Sequence, residues 1–149
     1  MTLARCLALL VALVLGTTQY ATAWDITGGW SFETKIKSKG CVISGNMTIL
    51  PPDENGIRTG HFISREICND DPDLSWQVEQ ETRITPQAES FIMRSEVVAS
   101  LTPNYSANRY LPDHFVVSPK SATQMTGIWQ DSAYSAPVKF WRDDSLPIS

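Results

Sequence analysis

The chain has 149 residues, 42% of them hydrophobic and 19% charged, with a formal net charge of −4. A length near that of one ordinary domain, with this much apolar material, excludes a disordered tail, a fibrous repeat and a second domain of ordinary size. An acidic chain without Lys/Arg clusters lacks the basic stripe that phosphate contacts need, so no nucleic acid is expected as a partner.

The first element in chain order is a candidate leader. Arg5 precedes the apolar run Leu7–Leu15, and Ala21-Thr22-Ala23 supplies small residues just before Trp24. Charged start, short apolar middle and small-residue end predict a cleavable secretory signal over residues 1–23 and a single domain over 24–149, secreted or periplasmic. The apolar run falls short of the ~20 residues a bilayer-spanning helix needs, and no later segment approaches that length, so no membrane anchor is expected. Loss of the leader removes Arg5 and Cys6, leaving eleven Lys/Arg against sixteen Asp/Glu, a net charge of −5, and two cysteines.

From there on the hydrophobic period is two, and eight strands are predicted at about 28–37, 41–50, 57–68, 74–84, 89–99, 113–118, 123–131 and 136–143. Gly, Pro, Asn, Asp and Ser mark the connections, among them Ser38-Lys39-Gly40, Pro51–Gly56, Asp70–Asp73, Thr85-Pro86-Gln87 and Ser132–Ser135. Strand four sets Leu74, Trp76, Val78 and Ile84 on one face against Gln77, Glu79, Glu81 and Arg83 on the other. Eight half-buried strands joined mostly by tight turns predict an all-β, antiparallel up-and-down barrel or a sandwich, since closure removes exposed edges.

Cys41 and Cys68 test the register of strands two and three. Setting them opposite one another centres the turn within Pro51–Gly56, meets Met47 with Phe62 and Thr48 with His61, and so pairs apolar with apolar and polar with polar. A Cys41–Cys68 disulfide is expected; neither cysteine belongs to a C-x-x-C and no His cluster accompanies them, so no metal is expected there. The acidic run Asn69–Asp73 lacks the glycine and closing glutamate of a calcium loop and is read as a solvated turn.

The Gly28-Gly29-Trp30 start of strand one and the Phe140-Trp141-Arg142 end of strand eight resemble the calycin pattern of lipocalins, fatty-acid-binding proteins and avidins. That resemblance implies that Arg142 lies over the Trp30 indole and closes one end of the barrel, an arrangement that cation–π attraction favours. The Thr-Asp-Tyr-type segment of lipocalins is not matched. Size, secretion, disulfide and Gly-x-Trp start are also similar to small bacterial periplasmic metalloprotease inhibitors, although only Trp24–Thr27 stand where their N-terminal trunk would be.

His61 and His114 are the imidazoles of the chain, and no nucleophile elbow, zinc-protease motif or phosphate loop accompanies them, so no catalytic residue and no cofactor is expected. His61 falls on the polar face of strand three and is read as solvated. Glu66 shares the inward face with Ile43, Met47 and Phe62; it is read as lying wet at the rim, the alternative being an inward carboxylate partnered by Arg142, Gln80 or Ser95.

The one long connection, residues 100–112, has the size of a lid or binding loop. Two functions are carried forward. In the first, a small apolar or amphipathic ligand enters the mouth near this loop and meets Tyr105, Tyr110, His114 and Phe115, with the two tyrosine rings displayed from an irregular lid. The barrel can instead be filled by its own side chains, among them Trp30, Phe32, Met47, Phe62, Trp76, Phe91, Met93, Trp129 and Phe140. A filled interior with an exposed apolar patch favours the second function, binding of a secreted protein partner, as an inhibitor or in envelope assembly.

Overall fold

The computed structural model describes residues 24–146, apart from the side chains of Pro72 and Leu74; the candidate leader, residues 1–23, lies outside the described residues, as does the expected inward position of Leu74. Eight strands follow one another as β1 (Gly28–Ile36), β2 (Cys41–Ile49), β3 (Arg58–Cys68), β4 (Asp71–Gln87), β5 (Ser90–Ser100), β6 (His114–Ser121), β7 (Gln124–Gln130) and β8 (Ser135–Arg142). Each pairs antiparallel with its neighbour in sequence, and β1 pairs with β8, which closes an up-and-down barrel with no free edge.

Alternation decides which side chains fill it. Residues of one parity, such as Trp30, Phe32 and Ile36 on β1 or Ile43, Met47 and Ile49 on β2, are buried to 2% exposure or less, and their neighbours face outward. Phe32, Phe62, Phe115 and Phe140 meet at the centre, with ring centroids 5.2 to 5.9 Å apart and mostly edge-to-face contacts. Gly45 makes room for this cluster, since a Cβ there would lie 2.6 Å from the Phe32 ring and 2.3 Å from the Ile63 carbonyl.

The β2–β3 ladder has the register expected from the cysteines, with Cys41 opposite Cys68, Met47 opposite Phe62 and Thr48 opposite His61, and the disulfide is formed. Bridging residues 27 apart stabilises the fold by about 3–4 kcal/mol in the chain-entropy model. Strand β4 runs longer than expected at both ends. Asn69 and Asp70 make the β3–β4 turn by themselves, both in the left-handed region, so Asp71 already belongs to the ladder. At the other end Pro86 pairs with Phe91, leaving only Ala88 and Glu89 as the turn.

The turns β1–β2, β3–β4 and β7–β8 and the long loop lie at one end of the barrel, here called the mouth. The other end carries the remaining turns and Trp24–Thr27. There Trp30 Nε1 donates to the Ile26 carbonyl at 2.8 Å, and Arg142 lies 4.1 Å over the Trp30 ring. The guanidinium also donates to the carbonyls of Thr27, Asp25 and Ala122, so the stack implied by the two end residues is present and ties the N-terminal segment to β8.

Candidate functional site at the barrel mouth

At the mouth the inward row of β6 continues one step past the strand. Phe115 and Val117 point into the core, and the same period carries Asp113, 1% exposed, inward at the end of the long loop. Its carboxylate is saturated with donors. Trp129 Nε1 reaches Oδ1 at 2.7 Å, while Ser64 Oγ at 2.8 Å, Gln80 Nε2 at 2.6 Å and the Tyr110 hydroxyl at 3.2 Å reach Oδ2. Gln80 closes the circle by accepting the Asp113 amide proton at 2.9 Å. These donors come from β3, β4, β7 and the loop, so one carboxylate fastens the loop to much of the barrel wall.

Burial outweighs those donors and pushes the Asp113 carboxyl up to about 6. The same burial, with the Asp113 charge beside it, holds the Tyr110 hydroxyl well above its ordinary value.

Above this cluster opens a cavity of about 160 Å³, walled by Trp76, Tyr110, Leu111 and Trp129 and edged by Lys39, Glu66, Arg109, Asp113 and Asp131. Glu66 is only 7% exposed and faces inward. Its partner is Lys39 Nζ at 2.5 Å, from the β1–β2 turn, rather than Arg142, Gln80 or Ser95, and the wet rim position expected of it is corrected. An inward carboxylate near a mouth recruits the nearest flexible cation, and a lysine on the adjoining turn can reach where Arg142, at the opposite end, cannot.

Of the four expected ligand residues, Phe115 and His114 lie off the cavity, and Tyr110 walls it without the displayed ring expected of it. Phe115 is fully buried in the four-phenylalanine cluster and is core, because β6 begins one residue before it. Tyr110 is not displayed: it is 7% exposed, held inward by Asp113 and packed 6.1 Å from Trp76. His114 points outward of the cavity and completes the β5–β6 seam. Ladder pairing of those strands stops at Met93 opposite Phe115, and, two residues on, the Ser95 N–H donates to His114 Nδ1 at 3.0 Å. Burial there lowers the His114 pKa, with Arg94 adding to the effect.

Tyr105 has the displayed ring expected of it but stands beside the cavity and not in its wall. It is 40% exposed, stacks on Trp76 at 4.4 Å and lies 5.9 Å under the Arg109 guanidinium. His61 is exposed and pairs with Glu79 at 2.7 Å. The sulfur atoms near Glu66 are bonded to each other and offer no thiolate to a metal.

The chain is similar in fold to designed β-barrels of known structure. A fluorescence-activating β-barrel designed de novo superposes with a TM-score of 0.59 at 13% identity, over 81% of this chain and 96% of that one. The redesigned barrels mFAP1 and mFAP0, each bound to the small molecule DFHBI, give TM-scores of 0.53 and 0.54 at 10% and 12% identity, covering 78% of this chain and 94% and 97% of theirs. At such identities the likeness is one of fold. No protein-family model and no curated protein matches the chain.

Asp113, Gln80, Ser64 and Trp129 were not singled out together by sequence reasoning. Parity alone marks all four as inward positions of their strands, and Asp113 as the one acid on the inward row of β6; nothing local says that they converge.

Proposed function

We propose that the chain is an exported binding protein whose mouth takes the compact head of a small amphipathic molecule. The observation that carries this reading is the half-open aromatic cavity at the mouth, built on a rigid polar floor. At about 160 Å³ it is close to the ~150 Å³ of an engineered cavity that accepts benzene, so it holds one ring or a group of that size. The rest of the ligand would lie across Leu111 and Tyr105, both exposed. Deeper in the barrel the four phenylalanine rings pack against one another, which suits a compact head better than a long apolar chain. Trp76, Tyr110 and Trp129 give the head flat contacts, and the Lys39–Glu66 pair beside it offers both a donor and an acceptor. The calycin resemblance of Trp30 and Arg142 and the DFHBI bound by similar barrels agree with ligand binding.

Native mass spectrometry of protein purified from its own compartment tests this. A chain beginning at Trp24 with a small non-covalent adduct is expected, and a Trp76→Ala/Tyr105→Ala variant should lose the adduct while remaining folded. A folded protein without any adduct overturns the ligand reading.

One observation favours the second function, a protein partner. Outward-facing Ile92, Val116, Ile128 and Pro137 sit directly opposite one another on β5 to β8 and form an apolar row across four strands. Val116 and Ile128 are 36% and 45% exposed. If a protein co-purifies, Ile128→Lys should release it without unfolding the barrel.

A further inference from the structure

At the end opposite the mouth lies a larger cavity, about 610 Å³, within the range of small-molecule sites. Its walls are Trp24, Pro52, Pro86, Phe91 and Pro119, contributed by the N-terminal segment and by the strands and turns around the rim. At its base, on the inward row of β3, is Arg58, 8% exposed.

This cation is under-partnered. Its Nε is buried and has no hydrogen-bond partner among the described residues. The one carboxylate within 4 Å of it among those residues, Asp25, stands 3.9 Å from an η nitrogen, is 80% exposed and already accepts the Thr27 amide proton at 2.9 Å. The guanidinium lies 5.7 Å over the Phe91 ring, which orients it but supplies no acceptor. A cation withdrawn from water without an acceptor is costly, and a planar guanidinium fork is shaped for a carboxylate.

We propose that this cavity binds an organic monocarboxylate, with the acid group on Arg58 and the apolar body between Phe91, Trp24 and the three prolines. Lys120 on the wall adds a second positive charge. Glu89 on the wall and Asp25 near Arg58 disfavour a dianion, which would meet more repulsion than a single charge. A neutral apolar occupant would strip the guanidinium of its remaining water and return no hydrogen bond. The site shares no residue with the mouth, so it stands or falls independently of the function proposed there.

Calorimetric titration with octanoate and with its uncharged analogue octanamide tests the assignment. Octanoate should bind one to one and weaken with added salt, and octanamide should bind on the order of ten- to a hundredfold more weakly, as expected for hydrogen bonds to a charged group. Arg58→Met should remove that preference, and without ligand it should melt no lower than the parent, because a buried unpaired charge is replaced by an apolar chain. Asp25→Asn, a change at an exposed residue, should tighten octanoate by removing the competing carboxylate. Trp76→Ala should leave octanoate binding unaltered. Equal binding of octanoate and octanamide, absence of octanoate binding, or weaker binding by Asp25→Asn overturns the proposal.

Discussion

At one end of the barrel Arg142 lies over Trp30 with its guanidinium half in water, donating to three backbone carbonyls. At the other, Asp113, 1% exposed, accepts from Trp129 and is surrounded by donors from three strands and a loop. Each end is fastened by a charge set against a tryptophan, but only the mouth buries its charge fully. A cation on an aromatic face keeps part of its hydration and gains modestly, whereas a buried carboxylate must be matched donor for donor, so the mouth is the more cooperative and the more pH-sensitive of the two.

The largest effect should come from breaking the buried cluster. Asp113→Ala strands the Trp129, Ser64, Gln80 and Tyr110 donors together and should cost about 4 kcal/mol or more in urea unfolding. A loss under about 1 kcal/mol would mean that the loop is fastened elsewhere. Asp113→Asn keeps the shape and isolates the charge. Because burial raises the carboxyl to about 6 in the folded protein, the folded chain holds more protons than the unfolded one between about pH 4 and 6. Stability from this group is therefore greatest below about pH 4, falls by about 3 kcal/mol as pH rises to 6, and is flat above. Asp25 and Asp143, whose values are lowered chiefly by hydrogen bonds from Thr27 and Ser145, act in the opposite sense: what they contribute is lost as pH falls through their folded values. The difference between parent and Asp113→Asn at each pH removes those contributions, and that difference should carry the whole slope.

The opposite end should respond less cooperatively. Trp30→Ala removes a fully buried indole and should cost about 3–5 kcal/mol, and Arg142→Ala should cost less. The two changes should couple in a double-mutant cycle by about 0.5–2 kcal/mol, since the side chains touch. Additive effects would show that the carbonyl contacts of Arg142, and not the stack, close this end.

This contrast also marks what could be read from the amino-acid sequence. Trp30 and Arg142 announce themselves by a short pattern at each end of the chain, and the β2–β3 register follows from two cysteines whose pairing also matches Met47 to Phe62. Strand alternation is a local property, so the barrel was legible; its turns were less so, since residues 71–73 and 85–87 extend β4 and residues 119–121 extend β6, where segments expected to turn continue as strand. The mouth was not legible, because Ser64, Gln80, Asp113 and Trp129 lie on four different segments and meet only once the barrel closes. Phe115 shows the same limit: proximity to a long loop in sequence suggested a ligand contact, but one inward step along β6 places it in the core. Arg58, too, gave no signal; an arginine beside a turn is ordinarily solvated, and its burial follows from inward parity at a barrel end.

The smallest effect separates the two tyrosines of the long loop. Both were expected to display their rings, but Tyr110 is 7% exposed and bonded to Asp113, whereas Tyr105 is 40% exposed and only stacks on Trp76 at 4.4 Å. Tyr105→Ala should therefore lower stability by only about 0.5–1.5 kcal/mol, the value of one aromatic pair. Its clearer consequence is local. Trp76 edges the mouth cavity and Tyr105 covers its ring, so removing the phenol should expose the Trp76 indole to water and make its fluorescence more accessible to a neutral quencher such as acrylamide. Tyr110→Phe, by contrast, should leave quenching unchanged, since the ring stays in place and only one donor to Asp113 is lost. Equal quenching in both variants would show that the loop moves as one piece, and that Tyr105 does not act as a separate cover over the mouth.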